Sequence, residues 1–147
     1  MTNRNRNQGF TLIELVLVIT IIGILAAFAI PRFAGIETQA RVSVMQGVAG
    51  SLESAAALAH AKQLAEGLSA GGSIVMENQT IAMTNGYPTN ADIQNAIRTN
   101  GNITADGSGT FTYTGFTSCS VTYTAPTVSG SAPAINTTNL DTASNCQ

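Results

Sequence analysis

Twenty-one consecutive residues, Phe10 to Ile30, are apolar at every position except Thr11, Glu14, Thr20 and Gly23. A helix crosses a bilayer in ~20 residues, so this run is long enough to span one. It is longer than the core of an ordinary signal peptide, and no small-x-small cleavage site follows it, so the helix is expected to be retained. Ahead of it lies a short polar leader, residues 1–9, whose only charges are Arg4 and Arg6. Cationic flanks stay on the cytoplasmic side of a membrane, which orients the remainder of the chain outward. With a long helix set aside, 147 residues leave room for one small domain.

Glu14 breaks the pattern of a simple anchor. A carboxylate in hydrocarbon costs on the order of 2–3 kcal/mol on insertion scales, so it needs a partner, a proton or access to the interface. Periodicity alone does not choose between a paired Glu14 and one that snorkels to the cytoplasmic surface.

Beyond the run, Pro31 interrupts the apolar sequence but a helical pattern resumes. Ile36, Ala40, Val44, Val48, Leu52, Ala56 and Ala59 recur every three or four residues, with Glu37, Arg41, Gln46, Glu53 and Lys62 off that line. Residues 10–30 are therefore read as a membrane helix and residues 31–67 as its amphipathic continuation. Pro31 lacks an N–H and Gly23 has little helix preference, which makes the interval between them the weakest part. Small residues at Gly47, Ala49, Gly50, Ser51 and Ala55 to Ala57 suit close packing against a sheet and against another helix.

Gly67, Gly71 and Gly72 end the helix with residues suited to left-handed caps and loops. Residues 68–147 read as a small β-rich head. A hairpin is expected from Ser73–Met76 and Thr80–Met83 about Glu77-Asn78-Gln79, then a turn at Asn85-Gly86-Tyr87-Pro88 and a short helix capped by Asn90 and running to Arg98. Thr110–Thr114 and Ser120–Thr124 alternate apolar and hydroxyl side chains, as do strands covered on one face. The overall class is α+β. Cys119 and Cys146 fit no zinc or redox spacing, and a disulfide in an oxidising compartment is their simplest use.

Formal net charge is -2 and charged residues make up 10% of the chain, without the clustered Lys and Arg that nucleic acid requires. His60, the only histidine, lies among alanines with no Cys or acidic neighbour, the setting of a structural residue. No Ser–His–Asp constellation, phosphate-cradling glycine motif or paired carboxylates appear, so no enzyme and no cofactor is expected. Sequons at Asn78, Asn102 and Asn136 arise readily in so Asn- and Thr-rich a chain.

Gly9-Phe10-Thr11-Leu12-Ile13-Glu14-Leu15, after a basic leader and before a long apolar helix, resembles the N-terminal signature of type IV pilins and of the pseudopilins of type II secretion. The resemblance implies the type IV pilin fold, a long N-terminal helix on a small antiparallel sheet. It also implies removal of residues 1–9 by a prepilin peptidase cutting between Gly9 and Phe10, with N-methylation of Phe10 from S-adenosylmethionine. The mature side chains would then be four basic and eight acidic. Glu14 would neutralise the terminal amine of a neighbouring subunit during assembly, and the helix would melt between Gly23 and Pro31 in the filament. The implied partners are the inner membrane, an assembly platform with minor pilins, and further copies of the chain in a helical filament. The precursor would sit in the inner membrane and the product on the cell surface, as a structural subunit for attachment and biofilm formation.

Asn85-Gly86-Tyr87-Pro88-Thr89, the Ala-rich helix and the late cysteine pair are similar to the mannose-sensitive haemagglutinin branch of that family. The alternative is a pseudopilin whose periplasmic filament drives protein export. Such proteins carry calcium in C-terminal loops, for which Asp106, Asp141, Asn139 and Asn145 are the oxygen donors to consider; their spacing matches no EF-hand, and no metal site is expected.

Overall fold

A computed structural model describes residues 9–147, with the backbone alone at residues 31–34. The leader residues before Gly9, Arg4 and Arg6 among them, lie outside the described residues, as does the side chain of Pro31. The chain forms two compact units divided after Glu37.

One helix, α1, covers Leu12–Ala65. The backbone is helical at both Gly23 and Pro31. In the first unit its large side chains face outward, Leu12 and Phe28 among the most exposed. It is the one helix among the described residues long and apolar enough to cross a membrane. The chain itself covers almost none of this surface, and patches of that size mark a surface that something else covers. At the other end, Gly67 adopts φ +63. Leu68 N–H donates to Gln63 O and Gly67 N–H to Leu64 O, both at 3.1 Å. That pair is a Schellman cap, and it is the reason a glycine follows the last turn.

The second unit begins within α1. Its buried helix residues are Thr38, Arg41, Met45, Leu52, Ala55, Ala56, Ala59 and Gln63. The expected stripe holds from Leu52 onward but fails before it: Ile36 and Val44 are exposed and Arg41 is buried. Each four-residue step advances ~40° around a helix, so a line drawn through Ile36, Ala40, Val44 and Val48 winds away from the core face. The buried line alternates steps of three and four.

Two antiparallel sheets receive this helix. The first runs β1 (Ser73–Met76), β2 (Gln79–Thr84) and β3 (Tyr87–Pro88) in that order. Its turns, Glu77-Asn78 and Asn85-Gly86, both have positive φ at two successive residues, as two-residue hairpins prefer. The first turn is thus one residue shorter than expected, since Gln79 pairs with Met76. Tyr87 and Pro88 belong to an edge strand opposite Thr84 and Met83, not to the turn. The second sheet runs β4 (Ile103–Ala105), β5 (Thr110–Tyr113), β6 (Phe116–Thr124) and β7 (Ala134–Asn136), followed by a one-turn helix α2 (Thr138–Asp141).

Alternation in β5 and β6 turns Phe111, Val121 and Tyr123 inward onto Met45, Leu52 and Ala56 of α1. A second cluster joins Ala59 to Ile74, Ile81 and Met83 of the first sheet. Gly109, at φ +98, lets β5 start against β6: a Cβ there would lie 2.5 Å from Tyr123 O. Asn90 does not cap a helix. Its Oδ1 accepts from Ala125 N–H at 2.6 Å, and a single 3-10 turn, Ile93–Ala96, follows instead.

Candidate assembly site

The start of α1 is built by Thr11 and Glu14. Thr11 N–H and Thr11 Oγ1 both donate to Glu14 Oε2 at 2.8 Å, and Glu14 N–H donates back to Thr11 Oγ1 at 3.3 Å. This is a capping box, Thr-x-x-Glu, which satisfies two orphan donors of the first turn reciprocally and explains why the helix begins at Leu12 rather than at Phe10. The Thr-x-x-Glu spacing is itself a local signal in the sequence. Both Thr11 donors converge on Oε2, and Oε1 has no partner among the described residues. Gly9 and Phe10 precede the helix and are exposed, Phe10 at 91%. Phe10 N and the Glu14 carboxylate thus flank the first turn of α1.

The head is closed by Cys119 and Cys146, which form a disulfide across 27 residues with both cysteines fully buried. Arg41 holds the same place from the helix side. Its Nε donates to Cys146 O at 2.7 Å and its guanidinium carbon lies 4.0 Å from the centre of the Phe116 ring. A buried guanidinium is tolerated where carbonyls accept its N–H groups and an aromatic face receives its charge. Sequence patterning set Arg41 on the solvated side because a charged residue in an amphipathic helix usually belongs there.

His60 stacks on Tyr87, with ring centres 4.4 Å apart, and its Nδ1 donates to Gly86 O at 2.6 Å. It ties α1 to the β2–β3 turn, which is a structural use. Tyr123 Oη donates to Pro88 O, joining the two sheets, and burial pushes its phenol well above the ordinary range.

Of the four candidate calcium donors, Asp106 lies in a turn of its own, while Asn139 and Asn145 are joined to each other near Asp141 in sequence. Asp106 accepts from Ser108 Oγ at 2.5 Å, Ser108 N–H at 2.8 Å and Thr110 N–H at 3.0 Å. The Ser108 hydroxyl and then its N–H lower its carboxyl to about 2. Asn139 Nδ2 donates to Ser120 Oγ, and Asn145 Nδ2 to Asn139 O. Among the described residues no three His, Cys, Asp or Glu side chains gather as metal ligands.

Residues 4–30 match the family model for the prokaryotic N-terminal methylation motif. Over 54 residues the chain is 50% identical to the type IV narrow pilus major component PilA5 of Thermus thermophilus, covering 37% of this chain and 47% of that protein. It is 69% identical over 36 residues to the type IV major pilin protein PilA of Myxococcus xanthus, 24% of this chain and 16% of the relative. A type IV major fimbrial protein FimA of Dichelobacter nodosus is 42% identical over 52 residues, 35% and 33% of the two chains. The chain spans less than half the length of these curated relatives. No solved structure matches. In its methylation motif and in these stretches the chain is similar to type IV major pilins.

Proposed function

We propose that this chain is a structural subunit of a type IV pilus, assembling through its N-terminal helix into a homopolymeric surface filament, and that it is not an enzyme. The observation that carries the reading is the conjunction at one end of α1: a methylation motif over residues 4–30, an exposed apolar helix face, and Glu14 held by Thr11 with one oxygen open. Cleavage between Gly9 and Phe10 by a prepilin peptidase, followed by methylation of Phe10, places an amine one turn from that carboxylate. Because Thr11 fixes Glu14 in one rotamer, Oε1 is presented ready for the amine of a neighbouring subunit, and a buried ion pair of this kind sets register between copies. The apolar face around it is then covered first by lipid and later by other subunits.

The stretch from Gly23 to Pro31 is where the helix gives way in the filament, since it contains the two residues with the least helix preference. Attachment and biofilm formation follow for a surface filament. Membership of the mannose-sensitive haemagglutinin branch rests on the Asn85–Thr89 segment and the Cys119–Cys146 loop. A pseudopilin role has less to support it: the relatives are named as major pilins and fimbrial proteins, and the Asp106 carboxylate is taken up by Ser108 and Thr110.

The test is genetic and microscopic. Deleting the chain from its own host should remove filaments from the sheared cell-surface fraction, and restoring it should return them. Filaments that persist at full number without the chain would overturn the reading, and a secretion defect with an unchanged surface would favour the pseudopilin.

A further inference from the structure

Resting on the pilus reading, we infer that the heads of successive subunits join through a heterologous contact in which Arg98 of one copy enters the groove beside Glu53 and Tyr87 of the next. A filament that keeps growing needs two different, complementary patches on each subunit, because a self-complementary patch closes a dimer and stops. The head carries such a pair on opposite flanks of α1. At ~100° per residue, Glu53 and Ala55 point ~200° apart around the helix.

On the Glu53 side lies a groove lined by Gln46, Glu53, Tyr87, Pro133 and Ile135. One face of the Tyr87 ring is stacked on His60. The Glu53 carboxylate is exposed and has no ion-pair partner among the described residues. An anionic group beside an aromatic ring and apolar side chains is a receptor for a guanidinium, which pairs through its fork and stacks through its face. On the other flank, Arg98 stands next to Ile97, Ala55, Ser51 and Gly47.

Among the described side chains, charge leaves one donor for that receptor. Residues 38–147 contain six acidic side chains and three basic ones. Arg41 is buried, and Lys62 lies against Glu66, just past the end of α1, at 2.5 Å. Arg98 is the third, with a side chain 87% exposed, its Nε and Nη2 donating to Oε2 of Glu77, itself 68% exposed, at 2.9 and 2.8 Å. Exposed pairs of that kind contribute little and exchange readily for a better partner. Between the two flanks, a Cβ added at Gly47 or Gly50 would meet nothing within 4 Å, so the ridge over which a second copy must pass is open and low.

The experiment measures sheared filament per unit of processed subunit in cells. Glu53→Arg and Arg98→Glu should each lower it about tenfold or more, because each sets like charges face to face. The double variant Glu53→Arg/Arg98→Glu should recover most of the loss, and Glu77→Gln, which removes only the surface partner of Arg98, should leave filament yield unchanged. In every variant the subunit should still be found processed in the membrane with its disulfide formed. Single reversals that assemble normally, or a double variant that stays as low as the singles while its subunit is processed and oxidised, would overturn the contact. Absence of wild-type filaments would instead defeat the pilus reading on which the contact rests.

Discussion

Arg41 on the long helix reaches the backbone carbonyl of Cys146, one residue from the end of the chain, across 105 positions of sequence. The disulfide secures that terminal segment to β6, and Arg41 secures it to α1, so the two devices fasten one strap at the same residue. Covalent and polar closure together compensate for a head whose strands are short and whose second sheet is rich in Thr and Ser.

Replacing Arg41 by Ala should therefore destabilise the head by about 2–3 kcal/mol, the cost of leaving a buried carbonyl unpaired and losing the stack on Phe116. Arg41→Lys should recover only part of this, because an ammonium lacks the planar face. Urea unfolding of the mature subunit in detergent, followed by tyrosine fluorescence, reads the difference.

Loss of the Cys119–Cys146 bond should cost about 3–4 kcal/mol in the chain-entropy account for a loop of this size. Because both cysteines are fully buried, reductant alone should leave the folded head oxidised, and thiol alkylation should appear only once denaturant opens it. Alkylation of the native protein at the same rate as the unfolded one would contradict this.

Asp106 gives a pH signature. Its carboxyl is held at about 2, below the ordinary value of 3.8, so its contribution to stability is complete above that ordinary value. It is lost as the pH falls from near 3.8 through about 2, where the folded state also becomes protonated. The stability gap between the native protein and Asp106→Asn should be constant from neutral pH down to about 4 and close below it, as read by thermal unfolding across acid pH.

Glu14 caps the helix through Thr11, and the proposed assembly role gives its charge a second, separable task. Glu14→Gln keeps a carbonyl for Thr11 and removes the charge, whereas Thr11→Val removes the cap and keeps the charge. On the present account Glu14→Gln and Glu14→Leu insert and are processed normally but yield few filaments, while Thr11→Val assembles with a smaller defect. Normal filament number in Glu14→Gln would reduce Glu14 to a helix cap.

The helix and its Schellman end at Gly67 were legible because each is specified locally, by an apolar run or a glycine that must take positive φ, and alternation marked strands at Thr110–Thr114 and Ser120–Thr124, although β6 begins earlier, at Phe116, and buries Cys119, Ser120 and Val121 in succession. What escaped was non-local. Asn90 has the residue type of a cap, yet its partner is Ala125 on the far side of the head. Arg41 looked solvated because nothing near it in sequence announces Cys146 or Phe116. β7 and α2 carry little apolar signal, Leu140 being their one fully packed residue, and they exist through pairing with β6. The capping box at Thr11 and Glu14 is a local signal, masked by the charge that the same carboxylate places in an apolar run.

The most direct measurement is the intact mass of this chain in filaments sheared from cells, taken with and without reductant. A chain beginning at methylated Phe10, abundant in that fraction and heavier after denaturing reduction by the hydrogens of one disulfide, is the result expected. An unprocessed chain still carrying Arg4 and Arg6, or a processed chain confined to the cell envelope, would contradict the proposal that this protein builds an extracellular pilus.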